Sequence, residues 1–385
     1  MSVITLLQDL VSIRSTNPMG RDLTGPDYTE AALADYIDAF LRKLGADIER
    51  QEVKPDRPNV IARFEFHGDA PWLMYEAHMD TVLVEGMTID PFDPVIKDGL
   101  MYGRGSCDTK ASMASMLWAI NRLVVSRDRP RLNLMFVGAM DEEFQFSGIS
   151  HAVENGVTAD FAVCGEPTEL KLVIVHKGAA RWRIRTEGLS THSSKCDDGI
   201  NAIYRMAKVA NALEEYHAKE MRPREGHPMV GGPTVSVGRI EGGQTVNTVP
   251  DWATIELDRR TLPGEAPEEA RSEIIEYLAN HPDIDFEVKH DEGFNMFGGM
   301  EVSPDSTIVQ AARSACESVT GSTEILGVPY GADAGKMVAA GIPTIVFGPG
   351  NILQAHSADE FVEVEQVETA VHIHEAIAHH LAERV

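Results

Sequence analysis

The chain has 385 residues, 43% hydrophobic and 24% charged, enough for two domains with cores of their own. Lysine and arginine number 34 against 60 acidic residues, a formal charge of −26. A surface so acidic repels nucleic acid and anionic membranes, which argues against both as partners. The N-terminal stretch Met1–Val11 lacks a basic region and a small-residue cleavage site and reads as an amphipathic helix. No apolar run approaches the ~20 residues that span a bilayer. Cys107, Cys164, Cys196 and Cys316 are scattered and form no C-x-x-C pair, so free thiols and a cytoplasmic location are expected.

Apolar positions Ala34, Ile37, Leu41 and Leu44 mark a helix that Gly45 stops. Val60, Ala62, Phe64 and Phe66 then alternate as a half-buried strand is expected to. Short apolar runs follow at 72–77, 132–137, 161–164 and 344–347, separated by helical stretches, the pattern of an α/β sheet with helices on its faces. Each run leads into chemistry. His78 and Asp80 follow the first, Asp141, Glu142 and Glu143 the second, Glu166 the third and His356 the fourth. Sites in open α/β sheets form beyond the carboxyl ends of the strands, so the four groups point to one cleft.

Between these runs lies Tyr102-Gly-Arg-Gly-Ser-Cys-Asp-Thr-Lys110, which enters a helix whose apolar face is Met113, Met116, Leu117, Ile120 and Leu123. Asp108 therefore stands at a helix N-terminus, where a carboxylate stays ionised. From about residue 179 to 292 the order strand, helix, two strands, helix, strand is that of a ferredoxin-like βαββαβ insert. The α/β pattern resumes near residue 293 and ends in a helix through Val367, Val371, Ala378 and Leu381. The expected domains are thus 1–178 with 293–385, and an inserted 179–292. His372, His374, His379 and His380 on the last helix share no single face and are expected to be solvated.

Hydrolysis with a pair of divalent ions ~3.5–4 Å apart requires a bridging carboxylate, a His and a carboxylate for each ion, and a separate base. The chain offers Asp108 as bridge, His78 with Glu166, His356 with Glu143, and Glu142 as base. Glu142 and Glu143 are expected to point apart, as successive residues of extended chain do.

The ordered set resembles the dinuclear zinc amidohydrolases of the M20 metallopeptidase family. It runs from Val11-Ser-Ile-Arg-Ser-Thr-Asn-Pro18 through His78-Met-Asp80, Gly103–Asp108, Asp141-Glu-Glu143, Gly165-Glu-Pro-Thr168, His192-Ser-Ser and Gly199-Ile-Asn-Ala-Ile203 to Gly348–His356. The resemblance implies a mixed-sheet zinc-peptidase catalytic domain with an inserted lid and dimerisation domain. His78, Asp108 and Glu166 would hold one metal, and Asp108, Glu143 and His356 the other. Zinc is the first expectation, with cobalt or manganese able to serve. Asp80 would accept the second N–H of the His78 imidazole, and Glu142 would carry the proton.

His192 matches a lid histidine that stabilises the oxyanion and in some members comes from the partner subunit. Asn247 and Arg260 match substrate contacts, the arginine taking a carboxylate. Ala111 stands where a Gly usually follows the Lys, and Cys196 where deacetylases often have Pro. The resemblance implies a homodimer joined through the lid. It also implies hydrolysis of an amide next to a free carboxylate, in an N-acyl amino acid as acetylornithine deacetylase or succinyl-diaminopimelate desuccinylase does. Val175-His-Lys-Gly178, His192-Ser-Ser and Gly199–Ile203 favour that branch. The alternatives are a carboxypeptidase or dipeptidase of the same family and, in another class, a non-catalytic binder that kept the fold.

Overall fold

A computed structural model describes residues 1–385. The chain divides into two compact units, one of Met1–Ile174, Glu301–Gly327 and Ala332–Val385, the other of Val175–Met300 with Val328–Gly331. None of its helices is long and apolar enough to cross a membrane.

The first unit opens with helices α1 (Val3–Ser12) and α2 (Ala31–Lys43), then strands β1 (Asp47–Lys54), β2 (Arg57–Phe64) and β3 (Trp72–His78). A short hairpin, β4 (Val95–Lys97) and β5 (Leu100–Tyr102), precedes helix α3 (Lys110–Val125). Strand β6 (Asn133–Ala139), helix α4 (Ser147–Glu154) and strand β7 (Phe161–Cys164) follow, and β8 (Leu172–His176) carries the chain across the boundary at Val175.

The second unit contains β9 (Gly178–Glu187), α5 (Ala202–Tyr216), β10 (Thr234–Gly242), β11 (Trp252–Thr261), α6 (Pro267–Ala279), β12 (Val288–His290) and β13 (Asn295–Phe297). Its sheet is antiparallel, in the order β10-β11-β9-β12, with β13 also on β9. Alternate residues of β9 and β11 turn Trp182, Ile184, Ile255 and Leu257 toward α5 and α6. There they form one core with Met206, Val209, Leu213, Ile274 and Leu278. The last strand expected in that order begins late: the Ile284 N–H closes a turn on the His281 carbonyl (3.0 Å), and pairing begins only at Val288.

The first unit resumes with α7 (Thr307–Thr320), α8 (Ala334–Ala339), β14 (Thr344–Val346), β15 (Phe361–Glu363) and α9 (Val364–Ala382). Its main sheet runs β1-β2-β6-β3-β7-β14-β8. The centre is parallel, β6 with β3, β3 with β7 and β7 with β14, so these strands end on the same side. Buried on both faces, they read as continuous apolar runs. Strand β2 is likewise buried along almost its whole length, not half-buried as its alternation suggested, because α2 and α4 pack on it. Helix α3 is buried nearly all round, beyond its one apolar stripe, since it touches β3, α1 and α9. His374 departs most from expectation. It is fully buried, with Tyr75 and Phe347 edge-on to its ring, and not solvated as expected of all four histidines on this helix.

Candidate metal centre and active site

Three of the parallel strands deliver ligand-type residues at their carboxyl ends. His78 is the last residue of β3, Glu142 and Glu143 follow β6, and Glu166 follows β7. His356 lies in the loop beyond β14, and Asp108 in the turn before α3, with a cis Asp108–Thr109 peptide bond.

These residues converge. Nε2 of His78 is 3.1 Å from one Asp108 oxygen, and Nε2 of His356 is 3.3 Å from the other. Nε2 of His356 is also 3.0 Å from Glu143 Oε2. On the other side, His78 Nε2 lies 3.9 Å from Glu166 Oε1 and 4.0 Å from Glu142 Oε2. Donor atoms of His78, Glu142 and Glu166 all lie within 4.8 Å of one another, and so do those of His78, Asp108 and Glu143.

The charge balance of the cluster is unfavourable by itself. Burial, reinforced by neighbouring carboxylates, pushes the Glu142 and Glu166 carboxyls well above their ordinary range, and Glu143 is raised for the same reasons. Against its own desolvation, Asp108 is held below the usual range by His356 and His78. His356 is pushed up to about 11 by Asp108 and Glu143, and His78 is driven up by Asp108 and Asp80 despite burial. Four carboxylates around two imidazoles carry more negative charge than the rings can neutralise. Buried charge of one sign demands a counter-charge, and oxygen with imidazole donors suits divalent cations of the zinc, cobalt and manganese type.

Asp80 differs from expectation. The Nδ1–H of His78 donates to the Asp80 backbone carbonyl at 2.9 Å, and the nearer carboxylate oxygen stands off at 3.5 Å. That carboxylate instead accepts the Glu142 N–H (3.1 Å), the Glu143 N–H (3.2 Å) and the Asn17 side-chain amide (2.7 Å). The segment it grips is a turn, not extended chain, entered through Asp141 at φ 65°. Glu142 and Glu143 therefore diverge because of turn geometry held by Asp80, not by strand alternation. Asp141 is fixed in turn by Asn17 (2.9 Å), Lys54 (2.6 Å) and Ser147 (2.5 Å). Asn17 was visible only as part of the Ser-Thr-Asn-Pro motif, with no role attached to it.

His192, Asn247 and Arg260 belong to the second unit. His192 is exposed, its Nδ1 2.8 Å from Ser194 Oγ, and the Ser193 N–H donates to the Asn247 carbonyl (3.0 Å), so these two residues are neighbours. Arg260, near the end of β11, places Nε 2.9 Å from Asp258, which Arg181 also holds at 2.8 Å. Burial pulls the Arg260 guanidinium below its ordinary range.

Residues 74–380 match the model of peptidase family M20/M25/M40. An acetylornithine deacetylase of Myxococcus xanthus is 31% identical over 353 residues, covering 87% of this chain and 88% of the relative. The N-formyl-4-amino-5-aminomethyl-2-methylpyrimidine deformylase of Bacillus subtilis is 26% identical over 395 residues, covering 95% and 91%. Among solved structures, the M20 metallo-carboxypeptidase Sso-CP2 of Sulfolobus solfataricus superposes with a TM-score of 0.81 over the whole of both chains at 19% identity, a likeness of fold. The family match spans every carboxylate and imidazole of the cluster, and the chain therefore belongs to peptidase family M20/M25/M40, as a metal-dependent hydrolase.

Proposed function

We propose that the protein is a two-metal hydrolase that removes an acyl group from an N-acyl amino acid, cutting an amide bond beside a free carboxylate. The observation that carries this reading is the Asp108 carboxylate, whose two oxygens face two different histidines, each with a further carboxylate beside it. His78, Asp108 and Glu166 would hold one cation, and Asp108, Glu143 and His356 the other. When bound, such a pair polarises the scissile carbonyl and acidifies a water. Glu142 takes the proton of the attacking water and hands it to the leaving nitrogen. His192 donates to the oxyanion, Asn247 contacts the substrate, and the planar Arg260 guanidinium pairs with the carboxylate.

The acetylornithine deacetylase relative supports an N-acyl amino acid as substrate. Imidazole and carboxylate donors make zinc the first choice of metal. The same reading takes the protein as a cytoplasmic homodimer joined through its second unit; light scattering on the purified protein tests the subunit number. The deciding experiment combines elemental analysis with hydrolysis of N-acetylornithine, N-succinyl-diaminopimelate, hippurate and dipeptides, before and after chelation. Two equivalents of metal and chelator-sensitive release of the acyl group are expected. Turnover confined to dipeptides would transfer the protein to the peptidase branch, and no turnover by the metal-loaded protein would sink the proposal.

A further inference from the structure

Glu360 is fully buried, four residues beyond His356 and immediately before β15. Its carboxylate accepts four donors from one loop. Oε1 takes the N–H groups of Cys107 (2.9 Å) and Asp108 (3.0 Å). Oε2 takes the N–H of Gly105 (3.1 Å) and Nη1 of Arg104 (2.6 Å). The Glu360 carbonyl accepts a fifth bond, from the Gly103 N–H (3.0 Å). The two remaining N–H groups of the loop go to Pro91 (from Arg104, 2.9 Å) and Gly103 (from Ser106, 3.1 Å). Every backbone donor from Gly103 to Asp108 is thus accounted for, four of them by Glu360. The small sheet explains the proximity, because Phe361 of β15 pairs with Tyr102 of β5, just ahead of the loop. Gly105 adopts φ 81°, and a Cβ there would lie 2.9 Å from Thr81 Cγ2, so the loop can close around the carboxylate only with glycine at that point.

We infer that Glu360 is a positioning residue: it locks the Asp108 backbone to the chain segment that carries His356, and so sets the spacing of the two cations that Asp108 would share. The inference rests on the two-metal reading above and deepens it. Hydrogen bonds to an ionised carboxylate are about twice as strong as neutral ones, so the lock is stiff. A carboxamide in the same place cannot reproduce it. Whichever way it is turned, its NH2 faces a pair of N–H donors, either those of Cys107 and Asp108 or those of Gly105 and Arg104.

The test uses the full chain with Glu360→Gln. Metal-stripped protein is titrated with Co and Zn against a chromophoric chelator, alongside thermal unfolding of the metal-free form and steady-state kinetics. The expected result is a roughly 10- to 100-fold loss of affinity for at least one of the two equivalents, the range typical of residues that support ligands. With it, kcat falls while KM stays within about 3-fold, the signature of a lost transition-state interaction. Wild-type affinity for both equivalents overturns the inference, whatever happens to thermal stability, because a merely structural residue would move the melting temperature alone. If Glu360→Gln does not fold, the same titration on Glu360→Asp decides. That carboxylate is one methylene too short to reach both donor pairs, and unchanged affinities there overturn the inference too. Wild-type protein that binds two cations but hydrolyses nothing sinks the functional reading and leaves the affinity comparison intact. Wild-type protein that binds fewer than two overturns both.

Discussion

The residues assigned to the metals and to proton transfer are held in the opposite way to those assigned to substrate. Asp108, Glu142 and Glu143 have their backbone N–H groups clamped by buried carboxylates, Glu360 for the first and Asp80 for the other two. Asp80 is itself tied to Asn17, which also holds Asp141. His192, by contrast, is an exposed residue of a turn bonded mainly to its own neighbours, and Arg260 rests on Asp258 beside a second arginine. The lesson is one of tolerance. Ligands that must meet a cation within a few tenths of an ångström are built on backbone with no freedom left. Groups that meet a substrate carry partners they can exchange.

Substitutions that attack each side should break this comparison if it is wrong. The largest effect is expected on the rigid side. Glu142→Gln should lower kcat by roughly 10²- to 10⁴-fold, the usual worth of a general acid–base group, while metal content stays at the wild-type level. Loss of metal together with activity would mean that Glu142 is a ligand, which its place beside His78 and Glu166 makes the sharpest rival.

On the adaptable side, Arg260→Ala should raise KM for an N-acyl amino acid roughly 10- to 100-fold, the worth of a charged hydrogen bond, and affect amides without the carboxylate much less. An equal loss on both substrates would assign Arg260 to the stability of its strand.

The last effect, no larger than about 1.4 kcal/mol per pH unit, tests burial away from the site. Desolvation lowers His374 to about 3, against about 6.5 for an unfolded chain. Between these values the unfolded state binds the extra proton, so the stability that the neutral ring contributes is complete above about pH 6.5 and is lost as the pH falls toward 3. Denaturant unfolding from pH 6 to pH 4 should show wild-type protein losing about 1.4 kcal/mol per pH unit more than His374→Phe. Parallel slopes in the two proteins would remove His374 as the cause.

Most of the candidate ligands were legible because each follows a run too apolar and too short to be anything but a central strand, as with 161–164 before Glu166. Direction is harder to read than position. Glu142 and Glu143 were expected to diverge as extended chain, yet they sit in a turn whose shape comes from Asp80, more than sixty residues earlier. His374 was misjudged although the spacing shows its place: three residues after Val371 and four before Ala378, it lies on the apolar stripe of its helix, where Tyr75 and Phe347 cover its ring.

Periodicity and motif order alone determined the α/β class and supplied the imidazoles and carboxylates proposed for the site, because side-chain pattern is local and survives in one dimension. The tertiary structure alone decided which buried carboxylate clamps which loop. Glu360 reaches the Asp108 turn across some 250 residues of chain, and a hydrogen bond between a side chain and distant backbone N–H groups leaves no period, spacing or composition by which it could be read.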